Sequence, residues 1–233
     1  MPALSPIQPF GRLMAMSTAG ERGTRERILE VAEDFLGERG YDGTRLHLIA
    51  QRVGIQKASL FHYFPSKEEL YRAVVADSLG ETEHIVRRVL EADLNPFDKV
   101  RQLLEAYVDI VAAHPQRTKI LLRQSLGDVP SGYEPHVDSH RLLDAVVAFV
   151  TEYQRRHVFA SIDALALVLG VIGMVAFLFT SAPVLGTAWD GDPLGARGVE
   201  RVKRHVVEVV QRCLAVEAQP YATAAVRAVG GGD

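Results

Sequence analysis

Residues 44–67 read TRLHLIAQRVGIQKASLFHYFPSK, and the spacing of apolar positions in this stretch decides the fold. Leu46, Ile49, Ala50 and Val53 fall on one stripe of a short helix, because side chains three, four and seven apart share a helical face. Thr44 stands where a cap for that helix is needed. Gly54 then supplies the residue that a tight inter-helix turn with positive φ accepts without a Cβ clash. Ile55 returns to the apolar side, and Gln56, Lys57, Ala58 and Ser59 form the small polar first turn of a second helix whose Leu60 and Phe64, four apart, face inward. Such a pair has the layout of a DNA-reading motif, in which the N-terminal residues of the second helix meet base edges in the major groove. Helix pairs joined by a glycine turn also occur purely as packing units, so geometry leaves a structural role open.

The wider stretch GYDGTRLHLIAQRVGIQKASLFHYFPSKEEL, residues 40–70, resembles the signature of the TetR family of transcriptional regulators. Its Gly-Tyr, Thr, Ile-Ala, Gly-Ile, Leu-Phe-x-Tyr-Phe and Ser-Lys occur in the family's order and spacing. The resemblance covers about Thr24 to Tyr71. Two positions depart from the pattern: Leu48 replaces a usual acidic residue and Gln56 a frequent serine. Both lie off the apolar scaffold, and Gln56 bears on which operator is read. The resemblance implies an all-α protein with an N-terminal helix-turn-helix domain and a C-terminal helical domain for ligand binding and dimerisation. It implies no cofactor and no enzymatic activity. Lys57, Ala58 and Ser59, with Gln56 and His47, are expected to approach bases. Thr44, Phe61, His62, Tyr63 and Lys67 are expected on the phosphate-facing surface, and Arg45 among the DNA-binding residues. A homodimer on a palindromic operator, released by a small, largely apolar effector, follows from the same resemblance.

Charge supports the placement of the reading surface. The chain carries a formal net charge of -3, which disfavours indiscriminate coating of nucleic acid, since such binding rests on summed phosphate neutralisation. Between Arg39 and Lys67, however, Arg39, Arg45, Arg52, Lys57 and Lys67 oppose only Asp42, a local net of +4. A solvated helix face is usually mixed in sign. The single cysteine, Cys213, excludes an internal disulfide and fits a reducing cytoplasm. It falls on an apolar stripe and is expected to be buried.

Around this motif the periodicity predicts helices throughout. Thr24 to Gly40 carries the stripe Ile28, Val31, Ala32, Phe35 and Leu36, with Gly40 closing it. Glu26, Glu30, Glu33 and Asp34 mark its outer face, while Arg22, Arg25 and Arg27 crowd its start. Ser66 with Glu69 forms a capping box that starts a long helix reaching about Glu91. Asn95-Pro96 opens the next helix and His114-Pro115 ends it. A short helix follows to about Leu126, and GDVPSGYEP is turn chemistry. Val137 to His157 and a last helix from Val199 complete the set, with Ser161 placed to cap the helix between them. Residues 164–182, ALALVLGVIGMVAFLFTSA, contain no charge and are long enough to span a bilayer. They lack flanking aromatic and basic belts, so burial in a core and subunit interface is the preferred reading. Residues 183–198 read as a long loop containing the only tryptophan, Trp189. The expected domains are 21–67 for DNA and 68–218 for effector and dimer, flanked by a disordered extension, 1–20, and a flexible tail, 219–233. The extension has no signal-peptide pattern, and Met14 or Met16 are alternative starts.

Val199, Val202, Val206, Val209 and Cys213 form a seam suited to a partner helix, its structural alternative being a seam against the chain's own core. Tyr107, Phe149, Tyr153 and Phe177, with Phe179, are candidates to line an effector cavity between helices. Glu134, His136, Asp138 and His140 are the only cluster with metal-like residue types, and read as solvated polar residues at a helix start. No phosphate loop, nucleophile elbow or zinc helix appears. The rival reading is a helical ligand- or metal-binding protein, or an enzyme, in which the two-helix motif is only structural.

Overall fold

Helix α1, Thr24–Gly43, begins the described chain and sets the frame for the reading motif. The computed structural model describes residues 23–134, 137–185 and 192–216. The expected extension 1–20, Arg22, His136, Trp189 and the tail 219–233 lie outside these residues, as does the side chain of Asp138. Ile28, Leu29, Ala32, Phe35 and Leu36 of α1 are buried. At Gly40 the helix breaks, with φ 71° and ψ -178°, a conformation essentially reserved for glycine.

Helices α2, Leu46–Val53, and α3, Lys57–Tyr63, follow as the spacing predicts. Gly54 sits at φ 83°, and its N–H and that of Ile55 close the end of α2 on Ala50 and Gln51 carbonyls. Thr44 does not cap α2. It is 3% exposed, and its hydroxyl lies 2.7 Å from the Gly40 carbonyl and 3.0 Å from that of Phe35. The capping position belongs to Arg45, which contributes no side-chain bond. The Thr44 hydroxyl serves the Gly40 carbonyl, whose helical donor, the Thr44 N–H, turns instead to the Tyr41 carbonyl.

Helix α4, Lys67–Glu91, starts where Ser66 accepts a hydrogen bond from the Glu69 N–H at 3.0 Å. Helix α5, Pro96–Ala113, is capped by Asn95, and α6, Pro115–Ser125, follows directly after His114. Helices α7, Val137–Arg155, and α8, Ala164–Thr180, lead through a single turn, α9, Ala182–Leu185, to α10, Ala196–Leu214. Asp163, not Ser161, caps α8 by accepting from the Ala166 N–H at 2.9 Å.

Two apolar clusters hold these helices. The first joins α1 to α4 and is completed from further along the chain by Ile120 of α6 and by Tyr133. The second packs α5, α7, α8 and α10 around Val108, Phe159, Val175 and Val206. In α10 the buried row is Gly198, Val202, Val206, Val210 and Leu214. Val202 and Val206, at 1% and 0% exposure, therefore face the chain's own core, because α10 lies against α5. Cys213 is exposed and Val209 is 36% exposed, so the expected burial of the cysteine is overturned. A row at every fourth position drifts round the helix and leaves these two residues on the other side.

The uncharged α8 is not buried all round. Leu165, Leu169, Ile172 and Phe177 are 46%, 49%, 39% and 64% exposed, while Val175, Ala176 and Phe179 are buried. Among the described residues no helix is long and apolar enough to cross a membrane.

Candidate nucleic-acid interface

The reading motif is built by anchoring one side of each short helix and leaving the other free. On α3, Leu60 is 0% exposed and Phe64, just past its end, is 3% exposed. This pins the helix so that Gln56, Lys57, Ala58 and Ser59 all stand exposed on its first turn. On α2, buried Ile49, Ala50 and Val53 leave Arg45 and His47 on the outside. Phe61, His62 and Tyr63 are exposed at the end of α3, an unusual place for aromatic side chains unless something covers them. The Lys57 ammonium lies 5.6 Å from the Phe61 ring centre, and His62 meets Tyr63 edge to face at 5.8 Å.

Lys67, at the start of α4, is half-buried beside this surface. Its ammonium sits 4.3 Å from the Tyr41 ring centre and 3.4 Å from the Asp42 carbonyl oxygen. Burial lowers its pKa from the ordinary lysine value, against the opposing pull of Asp42 and Asp128. The expected residues are thus exposed, with Lys67 half-buried and Thr44 the exception, since its hydroxyl is turned inward.

Three side chains that spacing alone did not reveal brace the motif. The Arg27 guanidinium donates to the Val53 carbonyl at 2.8 Å, so it closes the end of α2. Arg25 lies over the Phe64 ring at 5.2 Å. Asp128, from the loop after α6, accepts the Tyr41 N–H at 3.2 Å. Their partners lie tens of residues away in sequence, where periodicity carries no signal.

Residues 28–74 match the family model described as bacterial regulatory proteins, tetR family. The chain thus carries a tetR-family segment at its N-terminal helices. It is a DNA-binding transcriptional regulator of all-α architecture. Along most of its length the chain is similar to the HTH-type transcriptional regulator RutR of Escherichia coli (strain K12), at 26% identity over 207 residues, covering 84% of this chain and 97% of RutR. Over 82 residues it is 35% identical to the HTH-type transcriptional repressor KstR2 of Rhodococcus jostii (strain RHA1), covering 34% of this chain and 40% of KstR2. Its fold is shared with the TetR family transcriptional regulator PfmR from Thermus thermophilus, with a TM-score of 0.63, 22% identity, and coverage of 84% of this chain and 100% of PfmR. It is shared equally with AibR, solved with isovaleryl coenzyme A and operator DNA, at a TM-score of 0.62, 19% identity, and coverage of 80% of this chain and 97% of AibR.

Of the candidate cavity residues, Tyr107, Phe149 and Tyr153 pack against the second cluster. Phe149 and Tyr153 pack edge to face at 5.1 Å and both meet buried Phe159. Tyr107 is half-buried, its hydroxyl 3.4 Å from the Ile172 carbonyl, and burial pushes its pKa up to about 12. Phe177 points away from this group to the surface, and Phe179 is core. Of the metal-like cluster, Glu134 and His140 are exposed, and among the described residues no three or more His, Cys, Asp or Glu side chains are grouped as a metal site would require.

Proposed function

We propose that the protein is a cytoplasmic, non-enzymatic, homodimeric repressor, released from a palindromic operator by a small, largely apolar effector. The observation that carries this reading is the first turn of α3, where four exposed residues are presented on a helix pinned by Leu60 and Phe64. Gln56, Lys57, Ala58 and Ser59, with His47, read base edges, while Arg45, Phe61, His62, Tyr63 and Lys67 meet phosphates. Thr44 shapes the entry to α2 from within. Residues 21–67 act as the reading head and 68–218 as the effector and dimerisation domain.

The apolar outer row of α8, with exposed Val209 and Cys213 on α10, a helix that packs against α8, supports pairing with a second copy. Two-fold pairing places half-sites about 34 to 36 Å apart, or a multiple of that distance. Tyr107, Phe149 and Tyr153 supply the aromatic lining of the effector domain. The isovaleryl coenzyme A bound by AibR, an apolar acyl group on an anionic carrier, supports an apolar effector here. The effector acts by binding better to a dimer whose heads have the wrong separation, since only differential affinity moves such an equilibrium.

Selection of bound duplexes from a random pool at stated salt tests the reading. A palindromic consensus protected by wild type, and lost with Lys57→Ala and Ser59→Ala, is the expected result. Unchanged footprints in both variants would reject the assignment of α3 as the reading helix.

A further inference from the structure

We infer that the loop that follows α6, residues 126–134, is a positioning element for the reading head, with Asp128 and Tyr133 as its two points of hold. The inference rests on the DNA-reading role proposed above, and on contacts that join distant parts of the chain.

The loop is shaped by its own backbone bonds. The Asp128 N–H returns to the Arg123 carbonyl at 3.0 Å, the Tyr133 N–H to that of Pro130 at 2.9 Å, and Gly127 and Gly132 take positive φ. Its Asp128 carboxylate reaches the place where α1 breaks. One oxygen accepts the Tyr41 N–H at 3.2 Å, and the other accepts from Arg123 at 3.2 Å. Arg123 also donates to the Glu38 carbonyl at 3.4 Å. The kink at Gly40 frees the Tyr41 N–H from the helical ladder, so the carboxylate satisfies a donor that would otherwise lack a partner. Gly40 has no Cβ, and a Cβ there would collide with the Asp128 carboxylate.

The second hold is a column of rings. Tyr133, 8% exposed, meets Tyr71 edge to face at 5.2 Å, and Tyr71 meets Tyr41 in the same manner at 5.4 Å. The Lys67 ammonium lies on the far side of this column, against Tyr41. From Gly40 the Thr44 hydroxyl carries the constraint onward to the entry of α2. The loop therefore fixes both the start of α2 and the seat of Lys67, without touching the reading surface itself. Asp128 and Tyr133 are positioning residues for DNA binding.

The test uses the full chain and a duplex recovered by wild type from a random pool. Asp128→Ala is expected to weaken binding roughly tenfold, the scale of one charge-assisted hydrogen bond, and Tyr133→Leu about fivefold, the scale of one edge-to-face ring pair. Asp128→Asn keeps an acceptor for the Tyr41 N–H and should restore most of the affinity. The slope of log affinity against log salt should stay unchanged, because no phosphate contact is removed. Amide exchange at Tyr41 should quicken in Asp128→Ala, with the interior amides of α5 and α10 unaffected. Binding within twofold of wild type in both Asp128→Ala and Tyr133→Leu would overturn the inference, as would an Asp128→Asn variant as weak as Asp128→Ala. If wild type recovers no duplex, it is the DNA-reading role that fails. The exchange measurement, which needs no DNA, still decides the hold: unchanged exchange at Tyr41 would reject it.

Discussion

Lys57 and Lys67 carry the same charge, and their replacement by alanine should have different consequences. Lys57 stands on the first turn of α3, so Lys57→Ala should cost about 1 to 3 kcal/mol against the preferred operator and relax specificity at one position. Lys67→Ala should weaken binding to all sequences alike and reduce the salt slope by about 0.9. Competition titrations against specific and scrambled duplexes at several salt concentrations separate the two. Arg117 is a different case. Its guanidinium, 14% exposed, meets Glu33 of α1 at 2.8 Å and Glu81 and Asp77 of α4 at 3.0 and 3.4 Å. Arg117→Ala strands these carboxylates, and the cost should be about 3 kcal/mol, read as a lowered urea midpoint. His114 lies 3.9 Å from both Glu33 and Glu81. Burial, then Arg117, lower its pKa from the ordinary 6.5, against the pull of Glu33, Glu81 and Asp77. The unfolded chain consequently takes up the proton first, and stability falls as pH drops through 6.5. Between about pH 7.5 and 5.5, wild type should lose more stability than His114→Gln, measured by denaturant titration at each pH.

At the scale of elements, α1 is bound along its back to α6. Gly37 is buried, and a Cβ there would lie 2.9 Å from the Gln116 carbonyl oxygen, so the two helices approach as closely as glycine permits. Gly40, at φ 71°, combines a glycine-only conformation with the neighbouring Asp128. Gly40→Ala should cost about 1 to 3 kcal/mol from backbone strain alone. Calorimetry should show the lower melting temperature, and the same variant should bind its duplex more weakly through the displaced Tyr41. An all-round apolar composition concealed the sidedness of α8. Its uncharged sequence gives no polar marker for the outer face, which only the neighbours α5, α6, α7 and α10 define.

For the molecule as a whole, the outer row of α8 and the inner row of α10 make opposite predictions. Leu169→Glu and Ile172→Glu place charges on an exposed apolar surface, and each should yield a folded monomer in sedimentation. Weakened binding to a duplex with two half-sites should accompany it. Val206→Glu buries a charge at a position with 0% exposure and should prevent folding instead. A folded dimer from either α8 variant would place the partner elsewhere. The Arg117 cluster and the Asp128 loop both join the reading head to the helices behind it, so the first apolar cluster is not complete without Ile120 and Tyr133.

Short-range order was legible in the residues themselves. Apolar spacing, Gly54, the Ser66 cap and the Asn95-Pro96 start all act within about one helical turn, so local sequence placed α2 to α5 and the exposed turn of α3. What faces what was a different matter. Thr44 turned inward because the kink at Gly40 offered it carbonyls, Val202 and Val206 turned to α5, and Cys213 was left outside. Arg27 and Asp128 found partners 26 and 87 residues away. Burial and long-range hydrogen bonding depend on which surfaces the packed helices bring together. The motif at residues 44–67 therefore named itself, while the tertiary structure decided what holds it in place.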